Sequence, residues 1–408
     1  MDTIPLLQNK KFVLGICGGI ASFKIVDLAS KLTQAGSQVD CVLTESAAKF
    51  VSPLTFASVT GSPALIDADL WRADLHVPHV SLGESADLFV IAPATANTIA
   101  KLAHGQADNL LTVTALAARC PIVVVPAMDG AMWSNAATQE NIATLKSRGL
   151  HVLSPATGRM ASGLIGEGRM VEASEIFGFI RVLLGANGKL SGRKIVVTAG
   201  GTREAIDPVR YIGNRSSGKQ GFAMAQAAID RGAQVTLIVG ASSLDMPYGA
   251  ERIDVESTEQ MRAEVLHACQ NADALIMAAA VADYQTEQVA DQKIKKTQET
   301  VEFNVKLIRT PDILLAVKAQ KESIGQPKIT IGFAAETQNL IENAKAKLSN
   351  KGLDLIVAND VAAEDAGFAV DTNRVTVIGR GGGVEQYPLM SKPQVAERVL
   401  DRLIELLG

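Results

Sequence analysis

The chain has 408 residues, 47% hydrophobic and 20% charged, a globular composition that excludes disordered and fibrous classes. That length exceeds one ordinary core and suggests two domains of ~200 residues each. A net charge of −4 gives no electrostatic case for nucleic acid or an anionic membrane, so any phosphate site must be a local cluster of cations.

The opening MDTIPLLQNKKF lacks the basic-then-apolar pattern of a signal peptide, and no apolar run approaches the ~18 residues that span a bilayer. The expectation is a cytoplasmic protein, with Cys17, Cys41, Cys120 and Cys269 as reduced thiols, because their spacing fits neither a metal nor a redox motif. KFVLGI (Lys11–Ile16), SQVDCVL (Ser37–Leu43), DLFVIA (Asp87–Ala92) and PIVVVPA (Pro121–Ala127) read as strands buried on both faces. Helical periodicity lies between them over Ser22–Ala35 and Thr98–His104. Strand and helix in alternation imply right-handed crossovers and a parallel sheet. The polar, turn-prone LGANGKLSGR (Leu184–Arg193) is the best boundary, dividing domains 1–188 and 189–408.

The alternation then restarts: KIVVTAG, a helix from about Lys219 to Arg231, then QVTLIVG, ALIMAAA, ITIGFAA and LDLIVAND. Gln285–Thr300, polar and lysine-rich, reads as a long functional loop. TPDIL (Thr310–Leu314) reads as a helix start with proline in its first turn. Asn373–Ile378 and Val384–Pro388 read as a hairpin closed by glycines, and Ser391–Leu407 as a closing helix. The fold class is therefore α/β, two tandem domains, each a mostly parallel sheet flanked by helices.

Two groups of motifs fall at strand ends. In the first half, GICGGIASFK turns a buried strand into a helix and leaves backbone N–H groups free for an anion. APATANT (Ala92–Thr98) ends another strand at the same carboxyl edge, where α/β ligands bind, and Thr44 and Ser46 end a third. With His79 and PAMDGAMW, this ordered set resembles the flavoproteins that decarboxylate a C-terminal or amide-linked cysteine. The resemblance spans roughly residues 11–172 and implies a flavodoxin-like or Rossmann-like domain. It implies that Gly18, Gly19, Ile20, Thr44, Ser46, Thr95, Ala96, Asn97 and Thr98 hold FMN, with His79 catalytic. A flavin is what such a decarboxylation needs: an amino-amide carboxylate has no electron sink, whereas oxidation of the thiol carbon creates a C=S group β to it.

Two positions depart from that family. Asp129 stands in PAMDGAMW where the family has asparagine, and Ser162 in RMASGLIGEGRM where many relatives place a proton-donating cysteine. An ionised Asp129 at ~4 Å from a substrate carboxylate would repel it by several kcal/mol at an effective dielectric of ~20. The expectation is that Asp129 is protonated, paired with a cation, or turned to another task, and is the replacement acid in preference to Ser162.

In the second half, VTAGGTREAIDPVRYIGNRSSGKQG gathers hydroxyls and cations at a helix start, suited to a phosphate. AAAVADY, KIKK, TPDIL, GFAAET and the lysines Lys345, Lys347 and Lys351 follow. This half resembles phosphopantothenate–cysteine ligase, and the tandem resembles the bacterial bifunctional coenzyme A biosynthesis family. The resemblance implies that Asn214 handles an acyl-nucleotide intermediate, Arg210 assists and Lys293 stabilises charge. It implies a CTP pocket of Met277, Ala278, Ala279, Asp283, Lys293, Pro311, Asp312, Ile313, Leu314, Phe333, Lys347 and Lys351, with Mg²⁺ on the phosphates and its ligands unassigned. Its substrates would be 4′-phosphopantothenate, L-cysteine and CTP, and its assembly a homo-oligomer of flavin-domain trimers and ligase-domain dimers. The leading reading is a bifunctional ligase and decarboxylase. An active ligase with an inactive flavin-binding scaffold is the alternative, and a flavin-binding regulator a third.

Overall fold

The computed structural model describes residues 3–72, 77–159, 163–295, 303–336, 339–360 and 370–408. The chain divides into two compact units, Met1–Arg181 and Val182–Gly408.

The first unit is built on six parallel strands: β1 (Lys11–Ile16), β2 (Gln38–Leu43), β3 (Leu65–Ile66), β4 (Leu88–Ala94), β5 (Ile122–Pro126) and β6 (His151–Val152). Their order is β3-β2-β1-β4-β5-β6. All seven residues of β4 are buried, as a central strand covered on both faces requires. The helix Ser22–Gln34 follows β1 and buries Ile25, Leu28, Ala29 and Leu32, one stripe of a 3.6-residue period. β1 and β4 are neighbours at the point where the order reverses, and ligands of open α/β sheets bind beyond the carboxyl ends of strands at such a point.

The second unit repeats this plan with eight strands: β7 (Lys194–Ala199), β8 (Gln234–Val239), β9 (Glu251–Asp254), β10 (Ala274–Met277), β11 (Ile329–Glu336), β12 (Leu355–Asp360), β13 (Val375–Gly379) and β14 (Val384–Gln386). The order is β9-β8-β7-β10-β11-β12-β13-β14. β12, β13 and β14 pair antiparallel and the remaining neighbours parallel. The reversal falls between β7 and β10. The closing helix Lys392–Leu407 starts with a reciprocal cap between Ser391 and Gln394 and buries Val395, Ala396, Val399, Leu400 and Leu403.

Three local expectations are corrected. Residues 285 and 286 of the supposed loop join Tyr284 in a short strand paired antiparallel with Leu307–Arg309; three residues running from exposed to buried are too few to show a period in sequence. RMASGLIGEGRM, where the sequence reading places no strand, overlaps an antiparallel hairpin of Ala156–Arg159 and Ile165–Arg169. Pro311 lies one residue before the cap of helix Ile313–Ile324, not in its first turn, because Asp312 takes the capping position and accepts from the Leu315 N–H at 3.2 Å. Among the described residues no helix is long and apolar enough to cross a membrane.

Candidate active sites

At the carboxyl edge of the first sheet, three strand ends converge. The Cys17 N–H donates to the Pro93 carbonyl at 3.2 Å and the Thr44 N–H to the Ile16 carbonyl at 3.0 Å, so the segments after β1, β2 and β4 are tied together. Gly18 is demanded by this approach: a Cβ there would stand 2.3 Å from the Ser46 Cβ, whereas one on Gly19 would meet nothing within 4 Å. Thr95 caps the helix Ala96–His104, its Oγ1 accepting from the Thr98 N–H at 3.3 Å. Asn97 and Ile20 are exposed beside this edge. Burial pushes the Cys17 thiol up to about 11 despite a hydrogen bond to Thr98, and Cys41 higher still. Neither offers a thiol acidic enough to replace the missing cysteine.

His79 is the second residue of helix Pro78–Ser85. Its Nδ1 is buried and has no partner among the described residues, which costs free energy unless a ligand or water meets it. Just before it, Val77 has φ 48°, a left-handed conformation that a β-branched residue adopts only at an energetic cost. Strain of this kind clusters at functional sites.

Asp129 caps the short helix Gly130–Trp133, its Oδ1 accepting from the Ala131 N–H at 3.2 Å. An asparagine oxygen would serve equally, so the family difference at this position leaves the backbone undisturbed. The hairpin seats on this segment: the Met128 N–H donates to the Gly168 carbonyl at 2.9 Å. Gly168 has φ 132°, and a Cβ there would stand 2.3 Å from the Met128 carbonyl oxygen. Ser162 itself lies outside the described residues.

In the second unit a cleft of about 780 Å³ opens beyond β7, β10 and β11. It collects residues far apart in sequence: Asn214, Met277, Ala278, Ala279, Asp283, Pro311, Asp312, Ile313, Leu314, Phe333, Lys347 and Lys351 all line it. Lys345 does not. Buried threonines, unmarked by any motif, hold the loop after β10 rigid. Thr198 Oγ1 accepts from both the Ala278 and Ala279 N–H groups at 3.1 Å, and Thr202 Oγ1 accepts from the Ala282 N–H at 2.9 Å. Asn214 Nδ2 donates to the Val281 carbonyl at 2.8 Å, and Lys351 pairs with Asp312 at 3.1 Å.

Arg210 and Lys293 do not line this cleft. Arg210 Nε and Nη2 bond Asp207 at 2.9 and 2.5 Å, and Nη2 also donates to the Ile294 carbonyl at 2.7 Å. Asp207 accepts from the Ile294 N–H at 3.1 Å as well. The guanidinium and three backbone N–H groups hold the Asp207 carboxyl far below the usual carboxylate range. The pair thus anchors Ile294, next to the exposed Lys293. Among the described residues, no three His, Cys, Asp or Glu side chains are grouped to hold a metal ion.

Two Rossmann-type sheets, each with a reversal of strand order, define a two-domain α/β protein of the class that binds ligands at such points. Residues 5–185 match the model of the flavoprotein family, and residues 190–407 that of the DNA/pantothenate metabolism flavoprotein C-terminal domain. The chain is 42% identical over 405 residues to the coenzyme A biosynthesis bifunctional protein of Vibrio vulnificus (strain CMCP6), covering 98% of this chain and 99% of the relative. It is 44% identical over 411 residues to the protein so named in Mycobacterium tuberculosis (strain H37Rv), covering 98% and 97%. To that of Bacillus subtilis (strain 168) it is 42% identical over 404 residues, covering 98% of each chain. The chain belongs to the family of bifunctional coenzyme A biosynthesis enzymes.

Proposed function

We propose that residues 1–188 carry an FMN-dependent decarboxylase of phosphopantothenoylcysteine and residues 189–408 a CTP-dependent ligase that makes it. One observation supports this reading: in each half, glycine- and hydroxyl-bearing motifs follow the strands on either side of the point where strand order reverses. In the ligase, the carboxylate of 4′-phosphopantothenate attacks the α-phosphorus of CTP, giving an acyl-cytidylate and pyrophosphate; the amine of cysteine then displaces CMP. Asn214 meets the intermediate, and Lys293, Lys347 and Lys351 with Mg²⁺ screen the phosphates. The ligase product is the decarboxylase substrate, which gives the tandem a chemical rationale.

In the flavin unit, Gly18, Gly19, Ile20, Thr44, Ser46 and Thr95–Thr98 hold FMN. The cradle that a Cβ at Gly18 would fill and the hydroxyls at the ends of β2 and β4 fit a flavin phosphate and its polar edge. Bound FMN supplies two-electron redox chemistry at the thiol carbon. His79 offers an unpartnered nitrogen for the substrate, and Asp129, protonated or paired with a cation when substrate binds, receives its carboxylate end. Assembly as flavin-unit trimers and ligase-unit dimers belongs to the same reading.

Two expected results bear on it. Gly18→Ala forces the segment at Ser46 to move, so the purified variant should lose bound flavin absorbance while pyrophosphate release by the ligase half stays at the wild-type rate. Flavin retained at full stoichiometry would remove Gly18 from the cradle. Asp129→Asn keeps the cap, so substrate binding and CO₂ release should persist, but an oxidised enethiol product should accumulate for want of the replacement acid. Full turnover to 4′-phosphopantetheine, read by mass spectrometry, would show that Asp129 is not that acid. A stall confined to Ser162→Ala would move the role to the hydroxyl.

A further inference from the structure

The loop that follows β10 forms one wall of the ligase cleft, since residues 278–283 all line it. A chain of hydroxyls runs from this wall to a carboxyl group that does not line the cleft. The Thr258 N–H donates to Glu204 Oε1 at 2.9 Å, which marks that oxygen as an acceptor. Thr258 Oγ1 lies 2.7 Å from the same oxygen and gives it its one proton. Thr258 then accepts from Thr202 Oγ1, 3.2 Å away. Thr202, its own proton so placed, accepts from the Ala282 N–H at 2.9 Å. Every bond in the series points one way, from the cleft wall to Glu204.

All three side chains are out of solvent: Thr202, Glu204 and Thr258 are 1%, 4% and 0% exposed. Burying so many polar groups costs free energy that apolar side chains of like shape avoid, so stability alone does not account for them. What the chain secures is Ala282, itself buried. The Ala282 carbonyl accepts from Thr310 Oγ1 at 2.6 Å, and the Asp283 carbonyl from the Thr310 N–H at 3.1 Å. Thr310 leads directly into Pro311, Asp312, Ile313 and Leu314, which also line the cleft. Ala282 is thereby fixed through both of its backbone groups, and with it the peptide that brings Asp283 to the cleft.

Loss of the Thr202 acceptor would leave a buried N–H unpaired, and the peptide would turn to find another partner. We propose that Glu204 is a positioning residue of the ligase, acting through Thr258 and Thr202 to hold the loop of residues 278–283 in the conformation that receives the nucleotide. The inference rests on the ligase reading.

The test follows the nucleotide step alone, by exchange of labelled pyrophosphate into CTP in the presence of 4′-phosphopantothenate. Thr202→Val and Thr258→Val each replace a hydroxyl by a methyl group, and Glu204→Leu removes the terminal acceptor. In each variant the KM for CTP should rise about tenfold, the effect of one lost hydrogen bond, while the maximal exchange rate is kept. Thr202→Ser and Glu204→Gln retain an acceptor at their positions and should keep the wild-type KM. Because the groups act in series, Thr202→Val combined with Glu204→Leu should raise the KM no further than Thr202→Val alone. If Glu204→Leu fails to fold, Thr258→Val takes its place in the double variant. A lowered Tm with an unchanged KM for CTP in Thr202→Val, an equal rise in Thr202→Ser, or multiplied effects in the double variant would each overturn the proposal. Absence of exchange in the unmutated protein instead overturns the ligase reading, and the positioning role with it.

Discussion

Replacing His79 by glutamine is expected to slow CO₂ release from phosphopantothenoylcysteine by about 10²- to 10⁴-fold, the range that a positioned acid–base group supplies. The position is prepared for such a role. A buried ring nitrogen has no partner among the described residues, and the residue two places before it is held at φ 48°. A packing histidine would satisfy its nitrogen within the protein. Bound flavin absorbance and the ligase rate should be unchanged in the variant, because Gly18 and Thr95–Thr98 are untouched and the ligase cleft is lined by residues of the other unit. A decarboxylation rate within a factor of about ten of the unmutated protein falls below that range and would remove His79 from the chemistry.

The second large effect is expected on amide formation. Lys293→Gln should lower it by about 10²- to 10³-fold, the usual cost of removing one preorganised group from developing charge. The backbone beside this exposed lysine is held: its neighbour Ile294 is gripped through both backbone groups by Asp207 and Arg210. Asn214→Asp should be as severe for a different reason. It replaces the N–H that donates to the Val281 carbonyl with a second acceptor, and sets a carboxylate where an acidic substrate must approach. Pyrophosphate release measured with CTP checks both, and the yellow colour of the flavin unit should survive in each. Normal release in either variant would remove that residue from the site.

Much of the framework was legible in the sequence because buried parallel strands are continuous apolar runs. KFVLGI maps onto β1 without a residue of error, and the glycine-closed hairpin and closing helix appear where composition puts them. What stayed hidden has physical reasons. The hairpin carrying Arg159 and Ile165 is glycine-rich and exposed, so it shows no alternation of apolar and polar positions. Thr198 and Thr202 look like ordinary strand and turn residues, yet their hydroxyls fix the loop of Ala278–Ala282 from some 80 residues away in sequence. Arg210 sits in a basic run and reads as a ligand group, while its partner Asp207 is unremarkable until the fold shows its carboxylate fully enclosed.

The claim that one chain runs both reactions is tested by feeding the FMN-loaded protein 4′-phosphopantothenate, CTP and cysteine labelled in its carboxyl carbon. The expected result is labelled CO₂ released in step with pyrophosphate, and 4′-phosphopantetheine as the final product. Pyrophosphate and phosphopantothenoylcysteine formed with no labelled CO₂ would contradict it, and would leave a ligase joined to a flavin-binding scaffold.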